Sequence, residues 1–442
     1  MRVRMRTWTA VAEALTLTVL GGSSPATPVL IDALRRSQRA GRLDAIEVRL
    51  HGRNFARLDG IAAYATRRLA READGAGAPA PPLRVVPGKT LAEAFEGATD
   101  VLCMVRPGGM LGRAADEAIA RAAGSPADEG LGVGGLACYL RGREVITGLA
   151  AAAARHAPRA NYLQMSSPLG VNVELTRRAF GARAFGVCEL PLTTAAKLAR
   201  AVADQGGGWA THHHAGLNHQ SWLYDFRDAE GNDVTARVLE AIPAGSSLGV
   251  ETAVIRAAGA VPVHYLKMFL HTEREVAAQR AAESRGHTLD RWSRRIEAAL
   301  AAGAAGDAQV DALLAERRMD WFDEGIVPVL EALHGEGARS MPLNVPAGEA
   351  FPGASRDAIV EVDCEVSRHG VVARAVPALP DAPAALTRRL LDYERAVLAL
   401  PADADQERLA EALALHPLAP RAGLREVARQ LAAVKVERFA LT

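Results

Sequence analysis

The sequence predicts an α/β protein: a doubly wound parallel sheet in the first 200 residues, followed by an α+β half. Three observations predict it. Short apolar runs alternate with helical patterns through the first 200 residues. The first run enters a glycine turn, GGSSPATP at 21–28, that opens a proline-started helix. From about residue 210 the texture changes to a hairpin, an Arg-rich helical tract and further strands. Strands alternating with helices build right-handed βαβ units, and these stack into parallel sheets.

Taken in order, the strand candidates are TLTVL (16–20), AIEVRL (45–50), LRVV (83–86), DVLCMVR (100–106), NYLQM (161–165) and FGVCEL (185–190). Helical patterns fall near 28–40, 56–72, 112–124, 139–156 and 193–206, and DGAGAPAPP (74–82) reads as a loop. In the second half, GLNHQSWLYDFRDAEGNDVTARV reads as a β-hairpin turning at 230–233. A helical tract is expected over 273–340, two strands around the HisGly of IVEVDCEVSRHGVVARAV, and closing helices at 384–400, 406–415 and 423–437. The boundary falls near 200, giving units of 16–200 and 201–442.

Composition narrows the class. The chain has 442 residues, 49% hydrophobic and 23% charged, ample for a core without disulfides or structural metal. Lys+Arg 52 against Asp+Glu 51 leaves a formal charge of +1, so no basic field invites nucleic acid or an anionic membrane. No stretch of 18 apolar residues exists, and no membrane span is expected. Arg2, Arg4 and Arg6 imitate the start of a signal peptide, but Glu13 interrupts the apolar run that follows. About fourteen N-terminal residues are expected to add little to the fold. Four cysteines, Cys103, Cys138, Cys188 and Cys364, show no CxxC spacing, which suits a reducing, cytoplasmic setting.

The glycine turn raises the question of a dinucleotide. After a first strand, Gly21, Gly22, Ser23 and Ser24 would let backbone N–H groups meet a pyrophosphate at a helix N-terminus, as in a Rossmann-like domain. Thr27 and Pro28 mark that helix start. A plain strand–helix connection would look the same, since GlyGly-Ser-Ser is not a full GxGxxG. The second strand should end in an acid for the ribose hydroxyls. It ends instead in Leu50-His51-Gly52-Arg53-Asn54, and Arg53 suits a 2′-phosphate. NADP therefore carries as much weight as NAD, with a solvated surface charge as the alternative for Arg53.

Four stretches in this order resemble glycoside hydrolase family 4, the NAD- and divalent-metal-dependent glycosidases. They are VLGGSSPATP (19–28), VRPGG with its downstream R..DE (105–117), GVCELP (186–191) and AGLNH (215–219). PVHYLK (262–267), VPVLEAL (327–333), LNVPAGEAF (343–351) and ALHPLAP (414–420) are similar to that family's C-terminal half. The resemblance implies a fold like that of lactate and malate dehydrogenases, a sugar substrate, and a homodimer or homotetramer. It also implies metal ligands, Cys188 and His219, for manganese or another divalent ion; a thiolate and an imidazole leave further positions for water and substrate hydroxyls. His212, His213 and His214 lie outside the motif and read as an exposed run.

By the same resemblance Tyr265 is the base. The aromatic pair that follows it in the family is Met268 and Phe269 here. A tyrosine with its ordinary pKa near 10 needs a nearby cation to serve at neutral pH. Glu189, beside the metal cysteine, is placed to protonate a leaving group; Cys-Glu-Leu-Pro resembles the Cys-Asp-x-Pro of 6-phospho-α-glucosidases more than the asparagine form of 6-phospho-β-glucosidases. Arg106 matches a substrate-contacting arginine, Arg285 resembles a second, and Asn218 and Glu129 match further site positions. Ser23, Gly52 and Ser167 depart from the family's third turn glycine, ribose-binding acid and substrate-holding asparagine.

The implied reaction is hydrolysis of an O-glycosidic bond, 6-phospho-β-glucosidase-like, by oxidation at sugar C3, deprotonation at C2, elimination and addition of water. Family 4 is an exception to the two-carboxylate route of most glycosidases. Three rivals stand beside it: a 6-phospho-α-glucosidase, an NAD(P)-dependent sugar oxidoreductase or epimerase using the same C3 oxidation, and an inactive binding homologue.

Overall fold

The computed structural model describes residues 15–74, 80–130, 132–317, 319–420 and 422–439. The N-terminal arginines and most of the loop at 74–82 lie outside the described residues. The first half follows the alternation in the sequence. Strands β1 (Leu15–Leu20), β2 (Ile46–His51), β3 (Leu83–Pro87), β4 (Asp100–Cys103), β5 (Asn161–Gln164) and β6 (Ala184–Gly186) run parallel in the order β3-β2-β1-β4-β5-β6. Ligands of such sheets bind outside the carboxyl ends where the order reverses, here between β1 and β4.

The helices that cross between them are α1 (Thr27–Arg39), α2 (Phe55–Asp74), α3 (Leu91–Phe95), α4 (Gly109–Ala122), α5 (Gly132–His156), α6 (Leu169–Phe180) and α7 (Leu190–Val202). Helix α3 is held by a capping box between Thr90 and Glu93, a four-residue cue too short to show as periodicity. Helix α6 is rich in β-branched residues, which weaken intrinsic helicity. Burial of Leu169, Val171 and Val173 overrides that preference. Helix α5 starts seven residues earlier than its pattern suggests, because Gly132, Gly134 and Gly135 depress helix propensity while serving close packing. A Cβ on Gly134 would run into the backbone of Asp128, so this glycine lets the 128–130 loop lie on the helix. Arg141 of α5 grips Asp116 of α4 through two bonds of 2.6 Å, pairing charges that both lie buried.

The second half adds six strands to the same sheet: β7 (Thr211–Leu217), β8 (Gln220–Arg227), β9 (Val261–Pro262), β10 (Arg339–Pro346), β11 (Ile359–Ser367) and β12 (Gly370–Ala373). Strand β10 pairs antiparallel with β6 at Asn344 and Gly186, and with β11 along its whole length. Beyond β11 come β7, β8 and β9. One hydrophobic core runs through both halves, from Leu17 and Val48 to Leu343 and Val362.

Several expectations need correction. The hairpin turns at Asn218 and His219, not at 230–233: Leu217 pairs with Gln220, while Asp228 closes the later loop by accepting from the N–H groups of Glu230 and Asn232. Strand β6 stops at Gly186, which leaves Cys188 and Glu189 in a loop ahead of α7. The Arg-rich tract ends in strand β10, and the last helix (Leu424–Ala432) is shorter than expected, leaving 433–439 without helix. The histidine run is not exposed: His214 is buried, and its Nε2 meets Glu361.

Because one sheet and one core serve both halves, they should unfold together. Leu343→Ala, at a fully buried site in β10, is expected to cost about 2–5 kcal/mol in urea denaturation. Far-UV circular dichroism and tryptophan fluorescence should shift together; two separated transitions would contradict this.

Candidate active site

A cavity of about 850 Å³ opens at the carboxyl ends of β1, β2, β4 and β5. Its floor is the turn from β1 to α1. Gly21 has φ +85°, and a Cβ there would stand 3.0 Å from the Met104 backbone. A Cβ on Gly22 would stand 2.9 Å from Leu50 Cα, so both glycines are needed to wedge the turn between β2 and β4. Ser23, Ser24 and Ala26 then line the cavity at the N-terminus of α1, whose first turn carries no acidic residue. Leu91, Val145 and Leu149 supply an apolar wall. Ser166 and Ser167 line it too, and the Ser167-Pro168 peptide is cis.

Two departures noted in the sequence prove to be a single packing exchange. A Cβ on Gly52 would lie 2.7 Å from the Ser23 hydroxyl oxygen. The serine in the turn occupies the room a side chain at 52 would take. Arg53 beside it is 80% exposed and pairs with Glu437 at 3.2 Å.

Cys188, Glu189, His219 and Tyr265 gather in one place. Cys188 Sγ lies 3.8 Å from Glu189 Oε2. His219, in the hairpin turn, has φ 63°, a backbone region rare for a residue with a side chain. Its ring lies flat on Tyr265, centroids 4.2 Å apart and 7° from parallel. His219 Nδ1 is buried with no hydrogen-bond partner among the described residues. Burial raises the Cys188 thiol well above its ordinary range, with Glu189 and Glu361 adding to the effect, while Leu190 N–H and Asn218 oppose it. Burial also raises Glu189, and His219 partly offsets this. Tyr265 is raised by the Asp128 carboxylate first and by burial second; Arg113 opposes both. No cluster of three or more His, Cys, Asp or Glu suited to a metal occurs among the described residues.

Cations join this group to the cavity. Arg106 and Arg113 line the cavity and act electrostatically on Tyr265. Both bond to Glu129, Arg113 at 2.9 Å, and Arg113 also holds Glu117 at 2.8 Å. Arg317 was not singled out from the sequence, where it is one of many arginines. Its guanidinium stacks 5.5 Å from the Trp292 ring and 5.0 Å from Trp321. Burial, then Arg285, Arg113 and Arg106, push it down to about 10. Arg285 is itself exposed and outside the cavity lining. Asn218 is buried and turned inward, donating to Glu361 at 3.2 Å.

The fold and cleft define the class first: a dinucleotide-fold α/β protein, as in a lactate dehydrogenase from a Medee basin deep-sea metagenome library (TM-score 0.51, 12% identity, 88% of this chain and 100% of that one). Within that class the chain belongs to family 4 of the glycosyl hydrolases: the family 4 glycosyl hydrolase profile matches residues 16–204, and the profile of the family's C-terminal domain matches 214–419. It is 24% identical over 359 residues to 6-phospho-alpha-glucosidase 1 of Lacticaseibacillus paracasei, covering 75% of this chain and 79% of that one. It is 24% identical over 343 residues to a probable 6-phospho-beta-glucosidase of Bacillus subtilis, covering 74% and 76%. Similar solved structures include a 6-phospho-alpha-glucosidase from gut microorganisms in complex with NAD and Mn2+, and the 6-phospho-beta glucosidase of Thermotoga maritima with NAD and glucose-6-phosphate. Each has a TM-score of 0.80 at 19% identity, over 96% of this chain and 100% of the other.

Gly130 supplies a geometric test of this site. A Cβ there would lie 3.1 Å from His219 Nδ1 and 3.2 Å from Asp128 Oδ1. Gly130→Ala should displace the imidazole and weaken Mn2+ binding about tenfold or more, read by electron paramagnetic resonance, with little change in Tm. Unchanged affinity would contradict a role for His219 in metal binding.

Proposed function

We propose that the protein is an NAD- and divalent-metal-dependent glycosidase that takes a 6-phosphorylated glycoside. One observation carries the reading: Cys188, His219 and Tyr265 gather together, and Arg106, Arg113 and Arg317, which line the cavity, act electrostatically on Tyr265. The residues fit both groups. The glycine turn and helix N-terminus suit a pyrophosphate, the apolar wall suits an adenine, and the buried thiol and the imidazole with its unpartnered Nδ1 suit a divalent transition metal; manganese is the ion in a similar solved structure. When bound, these groups supply a hydride acceptor for sugar C3 and a Lewis acid for the resulting ketone.

The chain's own groups do the rest. Cys188 and His219 hold the ion; Gly21, Gly22, Ser23 and Ser24 cradle the dinucleotide. Tyr265 Oη removes the C2 proton; the Asp128 carboxylate raises this phenol, and a cation held by Cys188 and His219 would act against that field. Glu189, whose carboxyl burial raises above the ordinary carboxylate range, is placed to protonate the departing glycosidic oxygen. Arg317 and Arg106 take the anionic group of the sugar, a task for planar guanidinium donors. Five relatives named as 6-phosphoglucosidases or maltose-6'-phosphate glucosidases support the phosphorylated class.

The test is aryl release from a panel of α- and β-glycosides, with and without 6-phosphate, in the presence of Mn2+ and NAD or NADP. Release should require both cofactors and the phosphate. Steady build-up of NAD(P)H without release would identify an oxidoreductase instead. Cys188→Ser and His219→Ala should each abolish metal-dependent release; if both retain it, the assignment is wrong. Tyr265→Phe should lower kcat about 10²–10⁴-fold. Arg317→Met should raise KM for the phosphorylated substrate about tenfold or more, with a smaller effect on kcat.

A further inference from the structure

Strand β2 ends without the carboxylate that ordinarily holds the adenosine ribose, and the Ser23 hydroxyl fills the room for one at position 52. A carboxylate nevertheless reaches that part of the cleft from elsewhere. After helix Leu424–Ala432, residues 433–439 cross α5 to the cavity, and Glu437, Arg438 and Phe439 line it together with Ser23, Gly52 and Arg53. Glu437 N–H donates to the Arg141 carbonyl at 2.9 Å. Arg438 approaches Glu144 at 3.7 Å. The Phe439 ring lies against Gly148 of α5, where any larger residue would collide with it. Three successive residues are thus anchored to one helix.

The two oxygens of Glu437 are held unequally. Oε1 accepts from Gly108 N–H at 2.7 Å, at the start of α4. Among the described residues, Oε2 pairs with Arg53 Nη1, at 3.2 Å, on a side chain that is 80% exposed. One oxygen is fixed by the backbone and the other is held by an exposed side chain that a ligand hydroxyl can displace. The pairing also answers the question Arg53 raised in the sequence. A lone arginine there favours a 2′-phosphate, but this one is paired with a carboxylate that a phosphate would meet as well.

We propose that Glu437 is the ribose-binding carboxylate of this protein, replacing the absent acid of β2 and selecting NAD over NADP. The proposal rests on the reading of the cleft as a dinucleotide site. Its test is equilibrium binding of NAD and NADP to the metal-free protein, by calorimetry, for the unaltered chain, Glu437→Gln and a variant ending at Ala433. Glu437→Gln keeps the shape and loses the charge. It should weaken NAD about tenfold or more while NADP holds or tightens, so the preference narrows or inverts. The shortened chain should lose NAD affinity at least as far, with Tm confirming that it remains folded. Unchanged NAD and NADP affinities in Glu437→Gln would overturn the proposal, as would tighter NAD binding by the shortened chain, which would mark the segment as a plug. If the unaltered chain binds neither nucleotide, the dinucleotide reading itself falls.

Discussion

The arrangement depends on one buried carboxylate. Glu361, on β11, is fully buried and ringed by Ser221 Oγ at 2.7 Å, Asn344 Nδ2 at 2.9 Å, Asn218 Nδ2 at 3.2 Å and His214 Nε2 at 3.3 Å. Burial opposes its ionisation, but His214, Ser221 and Asn344 outweigh that and hold it below the ordinary carboxylate range. A buried charge is tolerable only when its lone pairs are met. Its partners come from β7, β8, β10 and the hairpin turn, so satisfying this charge draws four segments to one point.

That point sits at the seam between the parallel and antiparallel halves. Asn344, one of the donors, is also the residue through which β10 pairs with β6. The end of β6 leads to Cys188, and Asn218 precedes His219. The network therefore brings the thiol from one half towards the imidazole from the other. Its charge also acts on Cys188 and Glu189, raising both as metal-free groups. A divalent cation placed there would meet a region already arranged for positive charge.

Much of this was legible in the sequence. Alternating runs marked the parallel half because each strand lies between helices, and the glycine turn marked the cleft because backbone packing leaves no room for a Cβ. That Cys188, His219 and Tyr265 share one place was legible through motif order, although they come from three separate segments. What remained hidden was set by contacts distant in the chain. Glu361 looks like any acid in a strand, and its partners lie 17 to 147 residues away. Arg317 becomes distinctive only between two indoles. The hairpin turn differs from expectation because Glu-Gly-Asn-Asp is good turn chemistry, whereas the turn that forms requires His219 in an uncommon left-handed conformation. Ser23 and Gly52 looked like separate losses, and only their contact shows them to be coupled.

The central claim is that the glycosidic bond breaks by elimination after C2 loses its proton, with Tyr265 as the base. The most direct measurement is hydrolysis in D2O in the presence of Mn2+ and NAD, followed by NMR of the sugar product. The account predicts deuterium at C2 in essentially every product molecule, and none formed by Tyr265→Phe at the normal rate. Sugar released at full rate with its C2 proton retained would contradict it.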